Sequence, residues 1–289
     1  MKLFSPDSAH WYQRDGVPLH TVPSLKGSLQ TATMRPTTLR DARKLGLLPS
    51  VTNILGVIAK PELTAWLQEQ AVMAALTLPR NPGESEDDFA RRVVADSQTT
   101  RDSAADFGTA FHAGAERIAH TLEVDRADLH SAWLNKYRDW YQANALVLRW
   151  TEKVLVHPEW GYAGTADLLI EHPVHGLTLV DLKTMKFPQR GGKVPGGPPG
   201  TTGGSPVPPK PYKSWCYQLA AYRRALGEPV RCMNLIVNSV EPSAPIEHVW
   251  TEDEMETGWR AFVAAHRLWV IEKGYDPAAK ASAEMVLTA

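Results

Sequence analysis

Apolar positions in the first half of the chain recur at helical spacing, whereas in the second half they gather into short blocks. An opening stretch of ~48 residues is rich in Pro, Gly and Thr and keeps no period. Ser50 is then placed to cap a helix starting at Val51, and Pro61 to start another that reaches about Leu78, where Pro79 and Pro82 interrupt it. Phe89, Val93, Val94, Phe107, Phe111 and Ile118 hold a helical period through residues 86–120, with Gly108 as the expected break, and residues 129–142 predict a further helix. From residue 146 the texture changes. Residues 146–157, 162–171 and 177–183 are short β-branched or apolar runs separated by His-Pro-Glu-Trp-Gly and His-Pro-Val-His-Gly, which predicts three neighbouring strands joined by tight turns. Residues 187–211 hold eight Pro and seven Gly, a connection far longer than the usual ~4–6 residues and therefore a loop outside the core. A helix over 212–226, strands over 232–238 and 246–250 and an amphipathic helix over 253–273 close the chain, and no internal repeat is visible.

Composition narrows the class. Apolar residues make up 43% of the 289 and charged residues 22%, ordinary globular usage that excludes a disordered chain. No run approaches the ~18 apolar residues of a membrane span, and residues 1–11 lack the charged start and apolar stretch of a signal peptide, which predicts a cytoplasmic protein without a membrane partner. Cys216 and Cys232 are too few for a four-cysteine zinc or iron–sulfur site. Gly191-Gly192-Lys193-Val194 is the nearest approach to a phosphate loop and lacks both the hydroxyl residue and the following helix, so no ATP chemistry is expected.

The chemistry concentrates in two short stretches. Gly164-Thr165-Ala166-Asp167 lies in one predicted strand, and Asp181-Leu182-Lys183-Thr184 ends the next, fourteen residues on. Antiparallel pairing brings these ends together, and the strand period of two puts Asp181 and Lys183 on one face with Leu182 on the other. Two carboxylates held close need either a shared proton or a hard cation, and oxygen donors of this kind suit Mg²⁺ or Mn²⁺ rather than zinc.

The spacing Asp167, Asp181-x-Lys183 resembles the PD-(D/E)xK nuclease superfamily. Gln218-Leu219-Ala220-Ala221-Tyr222 is similar to the Gln-x3-Tyr helix motif of its RecB-like exonuclease branch, and Phe107-Gly108-Thr109-Ala110-Phe111-His112 to that branch's Gly-x3-His motif. Pro49-Ser50-Val51-Thr52 is similar to the corresponding stretch of phage exonucleases and of the mitochondrial genome maintenance exonuclease. The resemblance covers residues 50–238. It implies an α/β fold of restriction-endonuclease-like type, with a central mixed sheet flanked by helices and an added N-terminal helical region. In domain terms it implies a basic irregular arm over 1–48 and one nuclease domain over 49–289: a helical part (49–145), a catalytic sheet with the Pro/Gly loop (146–250), and a closing helix and tail (251–289). It further implies one or two Mg²⁺ or Mn²⁺ ions on His112, Asp167, Asp181 and the carbonyl of Leu182, with Glu152 either contributing to the same site or pairing with Lys153 or Arg149 on the strand face. Lys183 would orient the attacking water. Gln218, Tyr222, Thr184, Lys186, Lys213 and Arg223 are the expected DNA contacts, with Gln218 placed to fix either the scissile nucleotide or the catalytic lysine. The expected partner is DNA, linear with a free end, in phage or bacterial recombination, replication or repair, where a recombination or single-strand annealing protein would act beside it. A structure-specific endonuclease of the same superfamily and a non-catalytic DNA-binding accessory remain open alternatives.

Charge position agrees with a polyanion where total charge does not. The net charge is -1, yet residues 182–224 carry Lys183, Lys186, Arg190, Lys193, Lys210, Lys213, Arg223 and Arg224 and no acid. That window is +8 and the remainder -9, with acids concentrated at 84–88 and 252–256. Tyr212 and Trp215 lie in the same window and are candidates for stacking on unpaired bases.

Overall fold

The computed structural model describes residues 10–24, 33–187 and 209–278. The chain is mixed α/β, built on a five-stranded sheet whose strands lie side by side in chain order. Strands β5 (Val147–His157), β6 (Tyr162–His172) and β7 (Gly176–Met185) form the antiparallel meander that the two His-Pro turns predict. Helix α6 (Lys213–Leu226) then carries the chain to β8 (Arg231–Asn238), which pairs parallel to β7, and β9 (Ile246–Val249) closes the sheet antiparallel to β8.

Helices cover both faces because the strands are apolar on both faces. On one side α4 (Glu86–Thr121) and α5 (Ser131–Asn144) bury Phe111, Ile118, Leu134 and Tyr137 against Leu168, Ile170, Val180, Leu182 and Leu235. On the other, α6 and α7 (Glu252–Lys273) bury Leu219, Phe262 and Trp269 against Tyr162, Leu169, Leu179 and Cys232. Each large apolar side chain removed from water in this way stabilises the fold by roughly 1.5–3 kcal/mol. Helix α7 starts on a capping box in which Thr251 and Glu254 satisfy each other's backbone donors.

Two expectations change. Gly108 does not break the long helix: α4 runs through it without interruption. A Cβ at Gly108 would lie 3.2 Å from the Thr184 hydroxyl oxygen, so the glycine lets α4 settle close on the end of β7. The arm over 1–48 is also not irregular where it is described. It holds short strands β1 (Trp11–Tyr12), β2 (Thr21–Pro23), β3 (Met34–Pro36) and β4 (Leu48–Pro49) and a capped helix α1 (Leu39–Leu45). Trp11 is 1% exposed within the α6–α7 core, and the Tyr12 hydroxyl is 3.1 Å from that of Thr165 on β6. The segment gains its order from the domain it packs on, and so no local period announces it. Beyond it, Ser50 caps α2 (Val51–Ile54) as expected, and α3 (Pro61–Thr77) starts on its proline. Arg190, Lys193 and nearly all of the 187–211 stretch lie outside the described residues. Among the described residues no helix is long and apolar enough to cross a membrane.

Candidate active site

The sheet forks between β6 and β7, and the expected residues gather in that fork. The β6–β7 ladder ends at Leu168 opposite Val180, while β7 continues beside β8 as far as Met185. The fork leaves the Leu182 backbone N–H without a strand partner on the β6 side, and the Asp167 carboxylate takes it through Oδ2 at 2.6 Å. β6 changes the side it presents at this point. Ala166 packs toward α6 and α7, whereas Leu168, two residues on, packs toward α4 and α5.

Opposite Asp167, the neighbouring strand is distorted as well. Glu152 has φ of 46°, in the left-handed region, and the pairing of β5 with β6 skips the rung between Thr151–Leu168 and Lys153–Ala166. A non-glycine residue in this conformation costs about 1–3 kcal/mol, and such strain collects where a side chain must be aimed. Glu152 is aimed at His112: its carboxylate oxygen lies 3.9 Å from His112 Nδ1, and Asp167 Oδ1 lies 3.7 Å from the same nitrogen. Ligand atoms of His112, Glu152 and Asp167 all lie within 4.8 Å of one another, an arrangement able to hold a metal ion.

Asp181 and Lys183 share a face, as the strand period requires, with Leu182 buried on the opposite side. A connected set of side chains runs from them into α6. Lys183 Nζ donates to Asp181 Oδ2 at 2.7 Å and to Gln218 Oε1 at 3.1 Å, and Gln218 Nε2 donates to the Tyr222 hydroxyl at 3.1 Å. Asn234 on β8, in register with Asp181, donates to Asp181 Oδ2 at 2.7 Å, and its own Oδ1 accepts from Trp250 Nε1 at 2.7 Å. Neither Asn234 nor Trp250 is visible as a site residue in the sequence. The only signal is a lone amide inside the apolar run Cys232-Met233-Asn234-Leu235-Ile236.

Burial sets the electrostatics. Desolvation pushes Asp181 up to about 6, with Lys183 opposing, and it raises Asp167 above the usual carboxylate range against the pull of His112 and Lys183. Burial alone would lower His112, but the carboxylates of Glu152 and Asp167 outweigh it and hold the imidazole above its ordinary value. The imidazolium form of His112 thus partly balances acids that would otherwise repel one another.

The expected DNA contacts do not all face this site. Tyr222 is 4% exposed, with its ring against Gly164, so it orients Gln218 and presents no open surface. A Cβ on Gly164 would lie 2.7 Å from Tyr222 Cε1, which explains the glycine of Gly164-Thr165-Ala166-Asp167. Gly164→Ala is expected to destabilise the fold by about 1–3 kcal/mol, because the enclosed ring cannot swing aside. Thermal denaturation checks this, and an unchanged Tm would show that the ring yields. Arg223 donates to Glu252 at 2.7 Å and Arg224 to Glu256 at 2.8 Å, which places both on the α7 side of α6. The +8 window is therefore not one continuous cationic path, since two of its charges meet Glu252 and Glu256 in the first two turns of α7. Lys186 and Lys213 are exposed, at the end of β7 and the start of α6. Thr184 lies beneath Gly108 of α4, and Trp215 packs on the α6–α7 core while Tyr212 is exposed.

A second group, His172, His175 and Glu247, also brings its ligand atoms within 4.8 Å of one another. It is a poor cation site. His172 Nδ1 accepts the backbone N–H groups of Val174 and His175 at 3.2 and 3.3 Å, so the neutral ring carries its hydrogen on Nε2, 3.6 Å from the Glu247 carboxylate. No protein-family model matches the chain, and a search of the curated proteins finds no match.

Proposed function

We propose that the chain is a Mg²⁺- or Mn²⁺-dependent deoxyribonuclease of restriction-endonuclease-like architecture that hydrolyses linear DNA from an end. The observation that carries this reading is the convergence of His112, Glu152, Asp167, Asp181 and Lys183 at one fork of the sheet.

The donor set fits a hard divalent cation. Asp167 Oδ2 is engaged by the Leu182 N–H, and Asp181 Oδ2 by Lys183 and Asn234. Asp167 therefore keeps its Oδ1 for a cation, beside the Glu152 carboxylate and the His112 imidazole, and Asp181 Oδ1, which takes neither of these hydrogen bonds, would complete the set. When bound, such an ion lowers the pKa of a water molecule and offsets negative charge developing on a phosphate.

The remaining steps belong to the chain's own groups. An ammonium has three hydrogens. Lys183 directs one at Asp181 and one at Gln218, which leaves a third for the attacking water or a phosphate oxygen. Gln218 and Tyr222 hold the ammonium in that orientation, so they act on Lys183 rather than on DNA. Lys186 and Lys213, exposed at the ends of the two elements that supply Lys183 and Gln218, are positioned to meet the backbone. The preference for an end rests on the resemblance to RecB-like exonucleases.

The test is degradation of end-labelled linear DNA with Mg²⁺, with covalently closed circular DNA as the control. Wild type is expected to degrade the linear substrate alone, and Asp181→Ala to lose roughly 10³-fold or more in rate. Equal degradation by both proteins would overturn the site assignment, and cleavage of the closed circle would favour an endonuclease.

A further inference from the structure

Asn234 is 0% exposed on a central strand, between residues that are otherwise apolar. A buried amide is costly unless both its ends are satisfied, and an aliphatic residue would suit this strand better on packing grounds. Its partners also fix its polarity. The Trp250 indole N–H can only donate, so it must meet the amide oxygen, and the Asp181 carboxylate accepts, so it must meet the amide nitrogen. The amide has one orientation, set from the side away from the site by Trp250, which is itself 7% exposed and anchored through its backbone N–H to the Cys232 carbonyl at 3.0 Å.

We propose that Asn234 and Trp250 are a positioning pair that locks the rotation of the Asp181 carboxylate, so that Oδ2 is committed to Lys183 and Oδ1 alone is presented to a divalent cation. The inference rests on the metal-site reading above and adds two residues to it. Geometry carries it. Lys183 and Asn234 approach the same oxygen, each at 2.7 Å, from opposite neighbours: Lys183 along β7 and Asn234 across the parallel rung from β8. With Asn234 gone, Lys183 alone holds the carboxylate, and rotation about the Cβ–Cγ bond lets either oxygen turn toward the ammonium. Groups that orient a metal ligand in this way typically change metal affinity by about 10–100-fold when removed.

The pair is tested by calorimetric titration of the full chain with Mn²⁺. Trp250→Phe keeps an aromatic ring while removing the pyrrole ring with its N–H, and Asn234→Val removes the amide while suiting a strand. Asn234→Val is expected to weaken Mn²⁺ binding by about 10–100-fold, and Trp250→Phe by a smaller factor in the same direction. The KM for DNA should stay unchanged, and raising Mn²⁺ should restore the rate. Variants that lower Tm but keep the Mn²⁺ Kd within about twofold of wild type would show a purely structural role and overturn the proposal. Should Asn234→Val fail to fold, Trp250→Phe alone decides on the same criterion. A wild-type chain that takes up no Mn²⁺ would overturn the metal-site reading and this pair with it, whereas tight wild-type binding with unchanged variants overturns the pair only.

Discussion

Lys183→Met is expected to reduce DNA hydrolysis by roughly 10³-fold or more while divalent-cation binding is kept or tightened. Methionine retains an unbranched stem of similar length and loses only the ammonium group. Lys183 occupies no cation-facing atom: its Nζ sits on Asp181 Oδ2, 2.7 Å away, and on Gln218. Removing it takes a positive charge away from a site meant to hold another positive charge, which favours cation binding by simple Coulomb attraction. The rate is expected to collapse because no other ammonium or guanidinium is bonded to Asp181 or Gln218 among the described residues. Calorimetry with Mn²⁺ and single-turnover kinetics on end-labelled DNA check the two halves separately. A rate within tenfold of wild type would remove Lys183 from the chemistry. Parallel loss of Mn²⁺ binding would make it a structural support of the cation site instead.

The second large effect concerns Asp167→Asn, which is expected to abolish cation binding and yet to stabilise the cation-free protein at neutral pH. Asn keeps an oxygen for the Leu182 N–H and removes one of two buried negative charges. In the folded protein Asp167 is raised above its ordinary value and Asp181 pushed up to about 6, both by burial. Each therefore binds a proton more readily folded than unfolded. Their contribution is fully favourable below about pH 4, the unfolded value, and is lost as pH rises through the folded values. His112, also raised, acts with the same sign: its stabilising proton is lost as pH climbs past the ordinary imidazole range. Cation-free wild type should thus lose stability from about pH 4 to pH 7. The variant should lose less, and its Tm should exceed that of wild type at pH 7. Saturating Mg²⁺ should raise the Tm of wild type and leave the variant unmoved. Thermal denaturation across pH, with and without Mg²⁺, reads both. A variant less stable than wild type at pH 7 would mean that the pair is not electrostatically frustrated.

Much of the site could be read from the sequence because its parts are local. Strand alternation alone places Asp181 and Lys183 on one face, and helix spacing alone puts Gln218 and Tyr222 four residues apart on one side of α6. Gln218 is placed to fix the catalytic lysine, and it accepts from Lys183, but the other partners leave no periodic trace in the sequence, because hydrogen bonds between elements carry none. The run around Asn234 reads as an ordinary buried strand, and its role appears only when the parallel rung sets it beside Asp181. Glu152 differs in kind. The sequence leaves it between the cation site and a strand-face ion pair with Lys153 or Arg149, and the structure, with a left-handed backbone angle of 46°, sets it beside His112. Charge along the chain misleads for a similar reason. The +8 window counts Arg223 and Arg224 as part of a cationic surface, while helix packing sets them against Glu252 and Glu256, 29 and 32 residues further along.

The sequence by itself determined the order and type of the main elements, since helical and strand periods are imposed by local hydrogen bonding and by which face must leave water. It also determined the chemical types that meet at the fork. The tertiary structure alone decided that the fork exists, that Asp167 fills the Leu182 donor left by the parting strands, and that residues 10–24 and 33–48 pack on the domain instead of trailing from it. These features depend on contacts between residues far apart in sequence, whose free energy comes from mutual burial and appears only once the two surfaces have met.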